Sequence, residues 1–290
     1  MASLKEIKGR INSIRGTLKI TSAMKMVASA KLHKAQGAMG NMLPYEAKLH
    51  EILTSLLSSG TMVHTPFAVQ QEVKRVAIVV CASNSSLCGG YNANVIRHLN
   101  ALLQEYSASV GKDNILVYPI GKKVAEAVQK EGFKPMGDFQ HLSGVANYQG
   151  AVELVGELTD KFIRGEVQQV ELLYNHFKST ASQEMTRETF LPLDLNALSG
   201  GCESAQQMDY IVEPSAGYVV HSLLPKVLKV KLYTVLLDAA AAEHAARTMA
   251  MQIASDNAND LIQELTLMYN KSRQQAITNE LLDIVGGTMA

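Results

Sequence analysis

A chain of 290 residues with 47% hydrophobic content is long enough for one large or two small packed domains, which excludes a disordered protein. Its 27 basic and 27 acidic residues cancel, so no global field points to nucleic acid or anionic lipid, and three cysteines (Cys81, Cys88, Cys202) without metal-ligand spacing exclude a disulfide scaffold and fit a reducing compartment. The longest apolar stretch, Ala239 to Ala242 with its neighbours, falls far short of the ~20 residues of a spanning helix, and no secretory signal is present, so a soluble chain is expected.

The first segment, from Ala2 to about Leu57, places Leu4, Ile7, Ile11, Ile14 and Leu18 at alternating spacings of three and four, a coiled-coil-like stripe on one helical face. The stripe resumes at Met42, Tyr45, Leu49, Ile52 and Leu56, and small residues between (Ala23, Ala28, Ser29, Ala30, Ala35) permit close helix approach. Gly37, Gly40 and Pro44 predict a bend near 40–44. Eight basic residues between Met1 and Lys34 face a single acid, Glu6, and an end so biased calls for an acidic partner. An acid-poor amphipathic N-terminus also has the character of a mitochondrial transit peptide.

Ser58 to Pro66 reads as a linker. From Glu72 to about Asp194 short apolar runs alternate with helical stretches. Val76–Cys81, Ile115–Ile120 and Val170–Tyr174 are predicted as buried strands, with helices over Asn92–Tyr106, Lys122–Lys130 and Gln149–Arg164, a pattern that implies a Rossmann-like parallel α/β sheet. Leu195 to Met208 is a polar linker. From about Pro214 to Val285 the helical spacing returns through Leu223, Val227, Val230, Leu237, Ala241, Met251, Ala258, Ile262, Leu265, Tyr269 and Ala276, with Pro225 starting or kinking the run and Gly286 and Gly287 ending it. A helix of about 70 residues spans on the order of 100 Å, too long to be buried in its own fold. Its only match is the N-terminal helix, so the two are expected to pair as a long antiparallel coiled coil, giving an N-terminal helix (1–60), a globular α/β domain (61–208) and a C-terminal helix (209–290).

No active site emerges. The turn Ala82-Ser-Asn-Ser-Ser-Leu-Cys-Gly-Gly-Tyr-Asn92 after the first strand sits where a dinucleotide fold places its phosphate loop, but it has no GxGxxG, no GxxxxGK[ST] and no lysine for a phosphate. Gly89 and Gly90 are read as a tight strand-to-helix turn and Cys88 as a small buried hydrophobe. The eight histidines lack paired ligand spacing, so neither a cofactor nor a metal is expected.

Two segments stand out. Ile20-Thr-Ser-Ala-Met-Lys-Met-Val-Ala-Ser-Ala-Lys-Leu32 and the run from Ala254 to Gly287 closely resemble the terminal signatures of the gamma-subunit family of F-type ATP synthases, and Ser86-Leu-Cys-Gly-Gly-Tyr-Asn92 resembles the family's Gly-Leu-Cys-Gly-Gly turn. Where the family usually has Ser-Asp-Arg-Gly, this chain has Ser83, Asn84, Ser85 and Ser86, so no local salt bridge is expected at the turn. The resemblance implies a non-catalytic rotor of bacterial type. Its helical pair would pass through a ring of alpha and beta subunits while its base meets the epsilon subunit and the membrane c-ring. It further implies that Met24 and Lys25 face an acidic beta-subunit loop, that Arg247 and Gln274 lie near the same contact zone, that Arg273 joins Gln274 at a beta loop, and that Ile277, Leu281, Leu282, Ile284 and Val285 turn in an apolar sleeve. The basic stretch then coincides with the family's mature N-terminus, not with a presequence, and the absence of a cysteine pair in the middle domain sets the chain apart from plastid members. A peripheral place on the cytoplasmic side of a bacterial inner membrane, held through the c-ring alone and without nucleic acid, is implied. Two rivals stand beside it: an α/β enzyme with dimerising helical arms, and a homodimeric coiled-coil scaffold.

Overall fold

The computed structural model describes residues 3–58, 65–194 and 211–288; the polar linker at 195–208, with Cys202, lies outside them. Helix α1 runs from Leu4 to Ser58, followed by β1 (Val76–Cys81), α2 (Tyr91–Ser109), β2 (Ile115–Ile120), α3 (Lys122–Lys130), α4 (Tyr148–Ile163), β3 (Gln169–Phe177), β4 (Gln183–Leu191) and α5 (Ala216–Thr288). At 1.5 Å per residue α1 is about 80 Å long and α5 about 110 Å. Both helices run continuously through their internal prolines, Pro44 and Pro225.

The four strands lie in the order β2-β1-β3-β4. β1 pairs in parallel with β2 and β3, whereas β4 closes the edge as an antiparallel hairpin partner of β3. The expected parallel sheet is therefore mixed. β4 was missed because its sequence, Gln183-Glu-Met-Thr-Arg-Glu-Thr-Phe-Leu191, is polar apart from Met185 until its last two residues, which are the only ones buried. Strand β1 is buried on both sides, as its unbroken apolar run requires. Val76, Ile78 and Val80 face α2 and α3, and Ala77, Val79 and Cys81 face α4 and the roots of the two long helices.

The roots belong to that core. Val220, Leu224, Leu228, Leu232, Val235 and Leu236 of α5 and Leu53 and Leu56 of α1 are buried against the sheet face. A long helix need not stand wholly outside its domain, as the length argument assumed; α5 packs into the domain's cores from Val220 to Ala246 and projects beyond them. Of the second α1 stripe, Leu49 and Leu56 are buried and Ile52 packs on the core as expected, Leu53 joins them fully buried, and Tyr45 is half exposed.

Beyond the domain the two helices form an antiparallel pair. Thr21 Oγ1 and Ser255 Oγ share a hydrogen bond of 2.9 Å, Lys25 Nζ donates to Gln252 Oε1, and Lys231 Nζ lies 4.0 Å from Glu46. As one number rises the other falls, with no slip in register. The seam is made of small side chains: Ala28, Ala241, Ala242 and Ala245 are inaccessible to solvent, with Leu32, Ala35, Met251 and Ala258 beside them. Ile7 and Ile11 from the first stripe are buried as expected. Counting back from Thr21 to Leu4, and the same number forward from Ser255, reaches Ser272. From Arg273 onward α5 therefore runs alone, a single helix of about 24 Å.

One buried carboxylate braces the hairpin edge. Glu171, 2% exposed, accepts from Tyr106 Oη at 2.6 Å and from Arg187 Nε at 2.8 Å, while Arg187 also holds Glu105 at 2.9 Å. Arg187→Ala would leave that carboxylate with fewer donors inside the sheet, and because Arg187 is 41% exposed the expected loss is near the lower end for a broken pair, about 2 kcal/mol in urea unfolding. A Glu171→Leu, Arg187→Leu double variant is expected to lose less than Arg187→Ala.

Candidate partner interface

The joint between domain and shaft sits at the carboxyl ends of β1 and β3, where loops from the sheet meet residues 238–250 of α5. Asp238, buried on α5, accepts from the Phe177 backbone N–H at 2.8 Å and meets His176 Nδ1 at 2.6 Å. Tyr91 Oη donates to the Ala239 carbonyl oxygen at 3.3 Å, and a neighbouring turn is held by His244 Nε2 to the Gly144 carbonyl at 3.0 Å. Arg247 closes the set: its side chain, 11% exposed, pairs with Glu243 at 2.8 Å and donates to the carbonyl oxygens of Ser86 at 2.6 Å and Ser85 at 3.5 Å.

The β1–α2 turn is built for this contact. Gly89 takes a positive φ of 59° with its Cβ position 3.7 Å from Ala250 Cβ, so the turn lies directly on the shaft. Gly90, at φ −80°, needs no glycine for its backbone and serves as the α2 cap. Asn84, standing where the resemblance expected a charged residue, donates to the Gln140 carbonyl and accepts from Lys122 N–H. Neutral bonds thus hold this position, and the arginine that reaches the turn comes from α5. Leu87 takes a left-handed φ of 68° and is 60% exposed, a strained placement of a large apolar side chain that local spacing did not reveal.

The residues singled out from sequence fall into three places. Met24 and Arg247 line one groove of about 340 Å³ with Lys31, Ser85, Glu243 and His244, and Lys25 lies next to it, bonded to Gln252. Arg273 and Gln274 are exposed some 26 residues further along α5, about 40 Å away, so Arg247 and Gln274 do not share one contact zone. They mark instead the point where α5 loses its partner helix. Ile277, Leu281, Leu282, Ile284 and Val285 follow on the lone helix, each about half exposed or more (49–64%). The basic residues of α1 project outward, all exposed except half-buried Lys25, and Arg10 pairs with Glu6.

Burial pushes the Cys81 thiol up to about 12, the reverse of an activated nucleophile. Among the described residues no group of three or more His, Cys, Asp or Glu could hold a metal ion, and no helix is long and apolar enough to cross a membrane. A concavity of about 570 Å³ lies elsewhere, between the helix roots and β4, with Val227, Phe190 and Lys231 in its wall.

The profile of the ATP synthase family matches residues 3–290, and a gamma chain from Phocaeicola vulgatus is 64% identical over 290 residues, the whole of both chains. The chain belongs to the ATP synthase gamma-chain family. Family membership at this level covers both helices and the domain between them. The fold recurs in a chain of the Euglena gracilis mitochondrial ATP synthase (TM-score 0.63, 19% identity, covering 99% of this chain and 94% of that one). It recurs also in the central stalk and c-ring structure from Tetrahymena thermophila (TM-score 0.58, 22% identity, covering 81% and 99%). The expected architecture, an α/β domain with a long antiparallel helical pair, is the observed one.

Proposed function

We propose that the chain is the non-catalytic rotor of a proton-translocating F-type ATP synthase, carrying torque between a membrane c-ring and a ring of three alpha and three beta subunits. The observation that carries this reading is the shape: a two-helix shaft rooted in a domain core, locked to it by a collar of polar contacts, and ending in a lone helix with exposed apolar residues. Rooting α5 in the sheet face gives stiffness where torque enters. The single-helix end, with Ile277, Leu281, Leu282, Ile284 and Val285 exposed, suits a bearing that turns in an apolar sleeve, where hydrophobic contact is non-directional and therefore slides.

The basic α1 face is the proposed side for acidic beta-subunit loops. Met24, Lys25 and Arg247 form one contact near the domain, and Arg273 with Gln274 a second near the lone helix. Exposed ion pairs of about 0 to 1 kcal/mol each hold a rotational position without trapping it. The base is the proposed seat for epsilon and the c-ring, through which alone the chain would reach the cytoplasmic side of a bacterial inner membrane. A homodimeric scaffold is disfavoured because the helices that would dimerise are already paired with each other.

A tagged chain is expected to capture alpha, beta and epsilon subunits in one copy per assembly and to restore their ATPase activity. Sedimentation as a homodimer that captures none of them would overturn the reading.

A further inference from the structure

His244 lies where the shaft leaves the domain, as one of the collar contacts and at the wall of the Met24 groove, and the reading above gives its second ring nitrogen no part. It is 4% exposed. Its Nε2 meets the Gly144 carbonyl oxygen at 3.0 Å, and because a carbonyl only accepts, the ring proton is placed on Nε2. The other nitrogen, Nδ1, is buried with no hydrogen-bond partner among the described residues. Gly144 has a φ of 74°, and its Cβ position lies 3.4 Å from Glu243 Oε2 and 3.8 Å from His244 Cε1, so this turn is seated directly on the two α5 side chains.

The charged groups facing the ring are Glu243 and Arg247 on α5 and Lys31 from α1; the turn itself brings the Gly144 carbonyl. Glu243 is already bonded to Arg247. Burial, helped by Lys31 and Arg247, holds the imidazole below its ordinary range, against the opposite pull of the Gly144 carbonyl and Glu243. A second proton would put an N–H where no acceptor waits and a third cation beside two others.

We propose that His244 is an acid-sensitive latch: neutral, it pins the 143–145 turn to α5, and protonated at Nδ1, its ring must swing out of the seat beside Lys31 and Arg247 to hydrate the new N–H, which takes Nε2 from the Gly144 carbonyl and loosens the domain from the shaft. The sign follows from the depressed native value. The unfolded chain takes the proton first, so the latch contributes fully above the ordinary histidine range and is lost as pH falls through the native value. A loosened joint lets the shaft lag behind the domain, so acid lowers coupling and not the chemistry at the ring.

The test compares wild type with His244→Gln in assembled complexes in proteoliposomes, reading protons pumped per ATP hydrolysed from about pH 7.5 down to the lowest pH at which the complexes stay assembled. Glutamine keeps an N–H for the Gly144 carbonyl and cannot titrate in this range. The wild-type ratio is expected to fall at least about twofold once pH has passed below the native value of His244, and the variant's to stay level. Parallel profiles would overturn the inference. Should the variant not assemble, amide exchange of the 143–147 peptide in the wild-type chain decides: protection lost at acid pH, after correction for intrinsic exchange, supports the latch, and unchanged protection overturns it. This readout tests the latch even if the proposed rotor role fails, whereas failure to capture alpha and beta subunits would overturn only the latter.

Discussion

Arg247→Ala is expected to destabilise the chain by about 3 kcal/mol, lowering its melting temperature by roughly 6 to 10 °C. The substitution strands Glu243, whose side chain is 8% exposed, as an unpaired carboxylate and frees the Ser85 and Ser86 carbonyls from the shaft. Arg247→Lys keeps the charge beside Glu243 but cannot fork between a carboxylate and two carbonyls, so about half of the loss is expected to remain. A paired Arg247→Met, Glu243→Met variant removes both charges and is expected to be more stable than Arg247→Ala. If thermal unfolding shows Arg247→Ala within 1 °C of wild type, the collar does not hold the joint as described.

The second large effect concerns turnover. Met24→Lys adds an ammonium to a groove where Lys31 and Arg247 already face the single carboxylate of Glu243. Under the proposed function this cation faces the stationary ring, and each 1.4 kcal/mol by which it holds one angular state slows passage about tenfold. Coupled ATP synthesis in reconstituted vesicles is expected to fall several-fold. Met24→Leu, which conserves volume and adds no charge, is expected to behave as wild type. An unchanged rate together with an unchanged coupling ratio in Met24→Lys would rule out a tight ring contact at this groove.

Local spacing carried much of the fold because much of it is built from local signals. Val76–Cys81 and Ile115–Ile120 were legible as strands since an unbroken apolar run of six, bounded by polar residues, has few other uses. Lys122–Lys130 was legible as a helix from its apolar face, Val124, Ala125 and Val128. β4 was not, because an edge strand is exposed on one side and its polar alternation resembles a loop. The two long helices were visible as stripes, yet the buried root of α5 was not, since burial all round depends on what three distant elements bring to it.

The interface was legible only in part, for the same reason. Spacing placed Met24 and Arg247 on separate helices, and only their antiparallel register brings them to one groove. The same register separates Gln274 from Arg247, which the motif alone had grouped. Arg247 also has an inward duty, bonding Glu243 and the β1–α2 turn, that no local pattern encodes. His244 gave no signal at all in sequence, because a histidine among alanines looks like any other until its two nitrogens are seen to be unequally satisfied.

That the two terminal helices behave as one body is most directly tested by joining them. Thr21 and Ser255 place their hydroxyl oxygens 2.9 Å apart across the seam, so cysteines at both positions are expected to form a disulfide within one chain under mild oxidation. With the ring immobilised and a probe on the α/β domain, ATP-driven rotation of the oxidised complex is expected to continue at the speed of the reduced one. Rotation that stops on oxidation and resumes on reduction would mean that the helices must slide past each other, and a shaft turning as a single body would be contradicted.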